Sequence, residues 1–282
     1  MTAQSQRTPP QPSLIALSSE LHRDLAFLKD FGWSFAATSP ILTIVGAEAH
    51  RCAAFFPLVI MDVTPEAAPE ATRDLELVSL HATTAGENWC VTSDGRWLAG
   101  YIPAVLRAVP FRLIKSDDPE GRSVLCIDEL SPLLTKTQNP ESDRMSPLFN
   151  ADGSLSSFTR SQLDFIAQVT SNHLATKEIL QKISQENILT PWSASVVRGG
   201  QNLEMRNLLI IDEKALNALP DEAFLRLRHA GALPLIYSQL MSLAQIENLQ
   251  RLARFYDQSQ RRSLQNEASE KNDPSSDVEF EF

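Results

Sequence analysis

The sequence contains little cysteine. Its 282 residues include three, Cys52, Cys90 and Cys126. Because the number is odd and no two of them have C-x-x-C spacing, a disulfide framework and a zinc site are both disfavoured. All three lie among apolar neighbours, so we expect buried, reduced thiols, which suit a reducing compartment.

Long apolar runs are also missing. No stretch approaches the roughly 18 consecutive apolar residues that a membrane-spanning helix needs. Residues 1–12 are polar and proline-rich and lack the apolar core of a secretory signal. We therefore expect a cytoplasmic protein that does not insert into a membrane.

Basic residues are outnumbered by acidic ones, 25 to 35, which gives a net charge of −10. Nucleic acids and anionic membranes are bound by clustered Lys and Arg, so neither is an expected partner. Hydrophobic residues make up 43% of the chain and charged residues 21%, as in ordinary globular proteins. The length suffices for one large domain or two small ones.

The common catalytic motifs are absent as well, since the chain has no G-x-S-x-G, H-E-x-x-H, Walker A or G-x-G-x-x-G sequence. His22-Arg23-Asp24 spells the start of a kinase catalytic loop, but Lys29 stands where that loop has its metal-binding Asn. The same H-x-D triplet is half of an iron facial triad. The candidate third ligands are His81, His173 and His229. We interpret His22 and Asp24 instead as polar surface residues and expect no metal and no cofactor.

What the sequence does contain is a regular succession of strand and helix patterns. Apolar, β-branched runs predict strands at 41–45, 58–61, 75–80, 111–114, 123–127, 192–197 and 203–211. Helical spacing predicts a long helix over about 156–187 and C-terminal helices over 213–229 and 235–256. Residues 131–150 contain turn clusters and are expected to wrap over the surface. The fold class is α+β: a mostly antiparallel sheet with hairpins, packed by the long central helix and the C-terminal helices.

The predicted folded domain is a single unit over residues 14–256, because no linker-like stretch interrupts it convincingly. Residues 1–13, which include Pro9-Pro10 and Pro12, are expected to form a disordered lead. Residues 257–282 lose the apolar stripe and are expected to form a disordered acidic tail.

The stretch from Gly95 to Phe111 carries the best binding candidates. Asp94-Gly95 predicts a tight hairpin turn, followed by a proline-bounded helical turn that holds Arg107. Trp97 and Tyr101 offer large apolar faces with polar tips, and Arg107 can grip a carboxylate through two hydrogen bonds. One hypothesis is that these three residues line a site for a carboxylate-bearing ligand or peptide. The alternative is a hairpin packed by its own aromatics, with Arg107 paired to an acid.

Several blocks of residues resemble the SapC family of bacterial proteins. In chain order they are Gly95-Arg96-Trp97, Tyr101-Ile102-Pro103-Ala104, Leu106-Arg107, Pro110-Phe111, Leu125-Cys126-Ile127-Asp128-Glu129, Leu148-Phe149-Asn150-Ala151-Asp152-Gly153, Leu209-Ile210-Ile211-Asp212-Glu213-Lys214 and Leu235-Ile236-Tyr237. Ala108-Val109 departs from the family pattern, which has a basic and an aromatic residue there, and this disfavours a two-arginine anion clamp. The family takes its name from a surface-layer gene cluster, so the resemblance implies a fold more than a function.

Two acidic pairs, Asp128-Glu129 and Asp212-Glu213, each follow a predicted strand. An Asp at a strand-to-helix junction accepts bonds from unpaired backbone N–H groups, and a Glu in the first turn complements the helix dipole. We favour this capping role for both pairs. The alternative is an acidic site for acid–base chemistry, with Asp128, Glu129 and Asp212 as its residues.

The last residues alternate apolar and acidic side chains: Val278, Phe280 and Phe282 share one face of an extended chain. Such a segment can add as a strand to a sheet edge. Two interpretations stay open: a tail that only keeps the protein in solution, and a docking element in which Phe280 and Phe282 bind a protein partner, either another protein or a second copy in a homo-oligomer.

Three hypotheses for the function stay open. The one we favour is a non-catalytic cytoplasmic binding module, or accessory protein, that binds a protein partner or a carboxylate-bearing ligand. The second is an enzyme, or the accessory subunit of one, that uses a metal or the paired carboxylates. The third, implied by the family name, is a component of surface-layer assembly or export.

Overall fold

Residues 13–65, 73–116, 121–137, 144–198 and 201–271 are described by the structure, a computed structural model. In these ranges every pairing between strands is antiparallel. Together with the helices this confirms the predicted α+β class. Phe280 and Phe282 lie outside the described residues.

The strands, in chain order, are β1 Leu14–Ala16, β2 Leu25–Leu28, β3 Ile41–Thr43, β4 Leu58–Asp62, β5 Leu75–Leu80, β6 Phe111–Lys115, β7 Ser123–Asp128, β8 Leu134–Lys136, β9 Met145–Pro147, β10 Leu189–Arg198 and β11 Gln201–Ile211. The α-helices are α1 Ser19–His22, α2 Ala49–Cys52, α3 Ala104–Ala108, α4 Ser157–Gln185, α5 Glu213–Asn217, α6 Asp221–His229, α7 Leu233–Ser242 and α8 Ile246–Lys271.

Contacts divide the chain into two compact units. The first consists of Met1–Phe31 and Val105–Ser171, and the second of Gly32–Ala104 and Asn172–Phe282. The chain therefore passes between the units three times, and each unit is assembled from segments that are distant in sequence. The predicted 14–256 domain spans both.

The first unit holds two three-stranded sheets, with strand orders β1-β7-β6 and β8-β2-β9. Its core contains the buried side chains of Phe111, Ile127, Leu148, Phe149 and Ile166. Ile166 lies on the first part of α4, so that helix supplies the apolar stripe that its sequence spacing predicts.

The segment 131–150 contributes two strands to a sheet, in addition to the surface turns that its sequence predicts. These strands, β8 and β9, pair with the two edges of β2. Ala26 of β2 lies opposite both Thr135 and Pro147 and is fully buried. Strands of three residues are too short to give a readable alternation, which is why the sequence pattern did not indicate them.

The second unit is built on a five-stranded sheet with the order β10-β11-β4-β5-β3. Both faces of this sheet are covered. On β4, Leu58 and Ile60 point into the core cluster that includes α6 and α7, and Val59 points into the opposite cluster, which includes Leu249 of α8. Residues 58–61 are all apolar because a strand that is buried on both faces needs apolar side chains on each of them.

Capping residues fix the helix ends of the second unit. Asp212 precedes α5 and accepts hydrogen bonds from the first-turn N–H groups. Gly231, at a φ of 69°, follows α6, and Ala232 N–H donates to the carbonyl of Leu227 across the end of the helix. This is the glycine-terminated closure that the sequence predicts at this position.

The C-terminal helix differs from its prediction in two ways. It is broken by a 3₁₀ turn at Leu243–Gln245 into α7 and α8. The second half, α8, continues to Lys271, beyond residue 256, where the sequence pattern predicts the helix to end. Residues 257–271 are rich in Gln, Arg, Glu and other good helix formers, so local propensity supports the extension once α8 is anchored.

The three cysteines are free and buried, as predicted. Cys52 and Cys90 have no exposed surface, and burial raises the pKa of the Cys90 thiol. Among the described residues, no helix combines the length and apolar character needed to cross a membrane.

Candidate functional site

The predicted turn at Gly95 forms, but the flanking segments make one bridge rather than a full hairpin. Val91 pairs with Trp97, and Thr92 N–H donates to the carbonyl of Arg96 at 3.0 Å. Gly95 has a φ of 78°, and a Cβ there would stand 2.6 Å from Ser34 Oγ. The turn therefore depends on glycine for its backbone angle and for space.

Glu48 is the residue around which this region is organised, and it was not identified from the sequence. It ends a 3₁₀ turn and is 5% exposed. Its Oε2 accepts a hydrogen bond from Tyr101 OH at 2.8 Å and one from Ala104 N–H at 2.8 Å. A buried carboxylate must be bonded to be tolerated, and here its partners fix Tyr101 and the start of α3. No local pattern signals this role, because the partners lie more than 50 residues away.

Trp97 and Tyr101 lie in contact with each other. Trp97 Nε1 donates to the carbonyl of Tyr101 at 2.9 Å. The Trp97 ring lies 6.0 Å from that of Trp33 and 6.3 Å from that of Phe56, centroid to centroid. The indole N–H of Trp97 and the hydroxyl of Tyr101 therefore both donate hydrogen bonds within the protein, which fits the alternative of a hairpin packed by its own aromatics.

Arg107 belongs to the first unit, whereas Trp97 and Tyr101 belong to the second. Its guanidinium carbon lies 5.0 Å from the centroid of the Phe165 ring, which is a cation–π distance. The hypothesis that the three residues line one ligand site stays a prediction.

His81 is the most unusual polar residue of the second unit. It has no exposed surface, and its ring centroid lies 4.4 Å from that of Phe56. Nε2 is 2.8 Å from Ser79 Oγ, while Nδ1 has no hydrogen-bond partner among the residues that the structure describes. Burial lowers the pKa of His81 to about 3, so the imidazole is neutral at neutral pH.

His22 is buried, so its interpretation as a surface residue is wrong. Its Nε2 lies 2.9 Å from Glu129 Oε1, and Ser18 N–H lies 3.1 Å from Nδ1. Asp24 is exposed and lies 4.0 Å from Lys136, so the two side chains of the H-x-D triplet have different surroundings. Among the described residues, no group of three His, Cys, Asp or Glu side chains is arranged to hold a metal.

The two acidic pairs have different roles. Asp212 Oδ1 accepts from Lys214 N–H at 2.9 Å and from Ala215 N–H at 3.1 Å, which confirms the helix-capping interpretation. Asp128 Oδ1 instead accepts from Ser13 N–H and Leu130 N–H, so it stabilises a turn and the pairing of the N-terminal segment rather than a helix. The acidic-site alternative stays a prediction.

An exposed apolar surface on α7 was not identified from the sequence. Residues 230–246 contain no charged side chain. Tyr237 and Met241 are 47% and 74% exposed, and Pro234 of α7 and Ala244 of the following 3₁₀ turn are exposed as well. We call these four residues the α7 surface. The absence of charge over 230–246 is the sequence signal that could have indicated it.

The opposite side of α7 is fixed by buried polar bonds. Gln239 accepts from Ile211 N–H at 3.0 Å and donates to the carbonyl of Leu58 at 3.1 Å. Ser242 Oγ accepts from Leu58 N–H at 2.8 Å. These bonds tie α7 to β4 and β11, so the α7 surface is held in a defined orientation.

Comparison with known proteins identifies one relationship. The model of the SapC family matches residues 17–249. Neither the curated proteins nor the solved structures give a match. Because the matched region covers most of the chain, this protein belongs to the SapC family.

Proposed function

We propose that this SapC-family protein is a non-catalytic protein-binding module of the cytoplasm, and that it binds an amphipathic helix of a partner protein on the α7 surface. The observation that carries the proposal is the exposure of Tyr237 and Met241 on a helix with no charged residue. Contiguous exposed apolar side chains are typical of interaction sites.

The spacing of the surface favours a helical partner. Within α7, Pro234, Tyr237 and Met241 follow one another at intervals of three and four residues. This is the spacing of a seam between two packed helices, in which each side chain inserts among those of the facing helix. Tyr and Met are also enriched at protein interfaces.

The carboxylates of the predicted acidic site are engaged within the fold, which supports a binding role over acid–base chemistry. Asp212 and Asp128 accept backbone hydrogen bonds, and Glu129 lies beside His22. Buried, free thiols support the cytoplasmic part of the proposal.

Site-specific cross-linking in the native host tests the proposal. A photo-cross-linking amino acid replaces Tyr237, and cross-linked peptides are identified by mass spectrometry. We expect a partner peptide with apolar residues at helical spacing, and we expect Met241→Lys to abolish the cross-link.

Leu174→Lys is the matched control. Leu174 lies on α4 in the same unit and is 50% exposed, but it lies outside the α7 surface. The cross-link should persist in this variant. A cross-link that survives Met241→Lys, or that joins two copies of this chain, would show that the α7 surface does not bind a partner helix.

A further inference from the structure

A compact cluster surrounds Arg198, the last residue of β10. Its guanidinium carbon lies 5.6 Å from the centroid of the Trp89 ring and 5.5 Å from that of Tyr256. Two aromatic faces around one cation form the arrangement that proteins use to bind guanidinium and quaternary ammonium groups.

Two carboxylates complete the surroundings of the cation. Arg198 Nε and Nη2 donate to Asp257 Oδ1 at 2.9 and 2.6 Å, and Nη1 donates to Glu87 Oε2. The side chains of Arg198, Glu87 and Asp257 are 20%, 23% and 30% exposed, so the cluster opens to solvent on one side.

Three of the four groups around Arg198 are also held by contacts to other residues. Trp89 has no exposed surface and is part of the second core cluster, against which Tyr256 also packs. Trp89 Nε1 donates to Glu87 Oε2 at 2.7 Å, which fixes that carboxylate. Asp257 follows Tyr256 on α8, a helix anchored in the same core through Leu249. A guanidinium-sized space with two acidic groups would therefore remain if Arg198 were removed.

We propose that Glu87, Trp89, Tyr256 and Asp257 form a guanidinium-binding cage, which Arg198 fills from within the chain and an arginine side chain of a partner protein fills in exchange. The net charge of −10 attracts such cationic segments. Tyr256 and Asp257 lie beyond residue 249, where the family match ends, so half of the cage lies outside the matched region. The cage is independent of the α7 surface.

The test uses L-argininamide as the probe and isothermal titration calorimetry as the measurement. Arg198→Ala should bind the probe saturably. The wild type should bind it at least about tenfold more weakly, because a tethered competitor acts at an effective concentration in the millimolar range. Adding Tyr256→Ala to Arg198→Ala should abolish the binding. If circular dichroism shows that Arg198→Ala is unfolded, Arg198→Met, which keeps the apolar stem, takes its place.

Arg226→Ala is the matched control. Arg226 makes two hydrogen bonds of 2.8 Å to Glu186, but no cation–π contact with a described aromatic residue accompanies them. Its removal should create no site for the probe. Equal binding by Arg226→Ala, or no saturable binding by a folded Arg198 variant, would overturn the cage. Binding by the Arg198 variant with none by the wild type, even at high probe concentration, would overturn the exchange with a partner.

Discussion

The neutral, buried imidazole of His81 makes the stability of the second unit depend on pH. Burial lowers its pKa from 6.5 to about 3. In the unfolded chain His81 therefore takes up a proton near pH 6.5, whereas in the folded protein it does so only near pH 3. The contribution of neutral His81 to the free energy of unfolding is fully present above pH 6.5 and is lost as the pH falls from there towards 3.

The magnitude follows from the two pKa values. Stability should fall by about 1.4 kcal/mol for each pH unit below 6.5, which amounts to about 2 kcal/mol between pH 7.5 and pH 5. Protonation in the folded state is unfavourable, because the doubly protonated ring carries a buried N–H at Nδ1, for which the described part of the chain supplies no acceptor.

His81→Gln isolates this contribution. Glutamine cannot titrate, yet its amide can still donate to Ser79. Urea unfolding followed by tryptophan fluorescence is the assay, and all four tryptophans, Trp33, Trp89, Trp97 and Trp192, lie in the second unit. The difference in unfolding free energy between wild type and variant should change by about 2 kcal/mol from pH 7.5 to pH 5. Parallel pH profiles would refute the reasoning, since they would mean that His81 accepts its proton in the folded state.

Three further substitutions test individual contacts by the same urea assay. Glu48→Gln should cost about 2–3 kcal/mol, because it replaces the buried, charge-assisted acceptor of the hydrogen bonds from Tyr101 OH and Ala104 N–H; a loss as small as that of Tyr101→Phe would contradict the central role of the carboxylate. Gly95→Ala should cost about 1–2 kcal/mol through its positive φ and its contact with Ser34, and an unchanged midpoint would show that the turn tolerates a side chain. Asp212→Ala should cost about 1 kcal/mol, whereas Asp212→Asn should retain most of the cap.

Much of the fold could be predicted from the sequence, because its strongest signals are local. The run at residues 58–61, the spacing along α4 and the glycine at 231 each identify an element without knowledge of what it packs against. The sequence could not show that the elements sort into two units. Strands as short as β8 and β9 likewise carry too few residues for a pattern.

The candidate site was harder to predict, because its important pairs join distant residues. His22 is buried beside Glu129, which lies 107 positions away, and Glu48 holds Tyr101 from 53 positions away. A polar residue with such a partner is indistinguishable in sequence from a surface residue. Asp212 shows the contrast, since its partners are two and three residues away and its role was predicted correctly.

The interleaving of the two units has a consequence for how the chain is made on the ribosome. Strands β4 and β5 are buried on both faces, yet β11, which pairs with β4, ends at residue 211, and β5 ends at residue 80. At synthesis rates of about 5–20 residues per second, roughly 7–26 s pass between the end of β5 and the end of β11, and β4 lacks its second neighbour throughout that time. During that interval the nascent chain exposes the segments most prone to aggregate. We therefore expect its yield in cells to depend on chaperones that bind nascent chains, and to improve when translation is fast between residues 80 and 211.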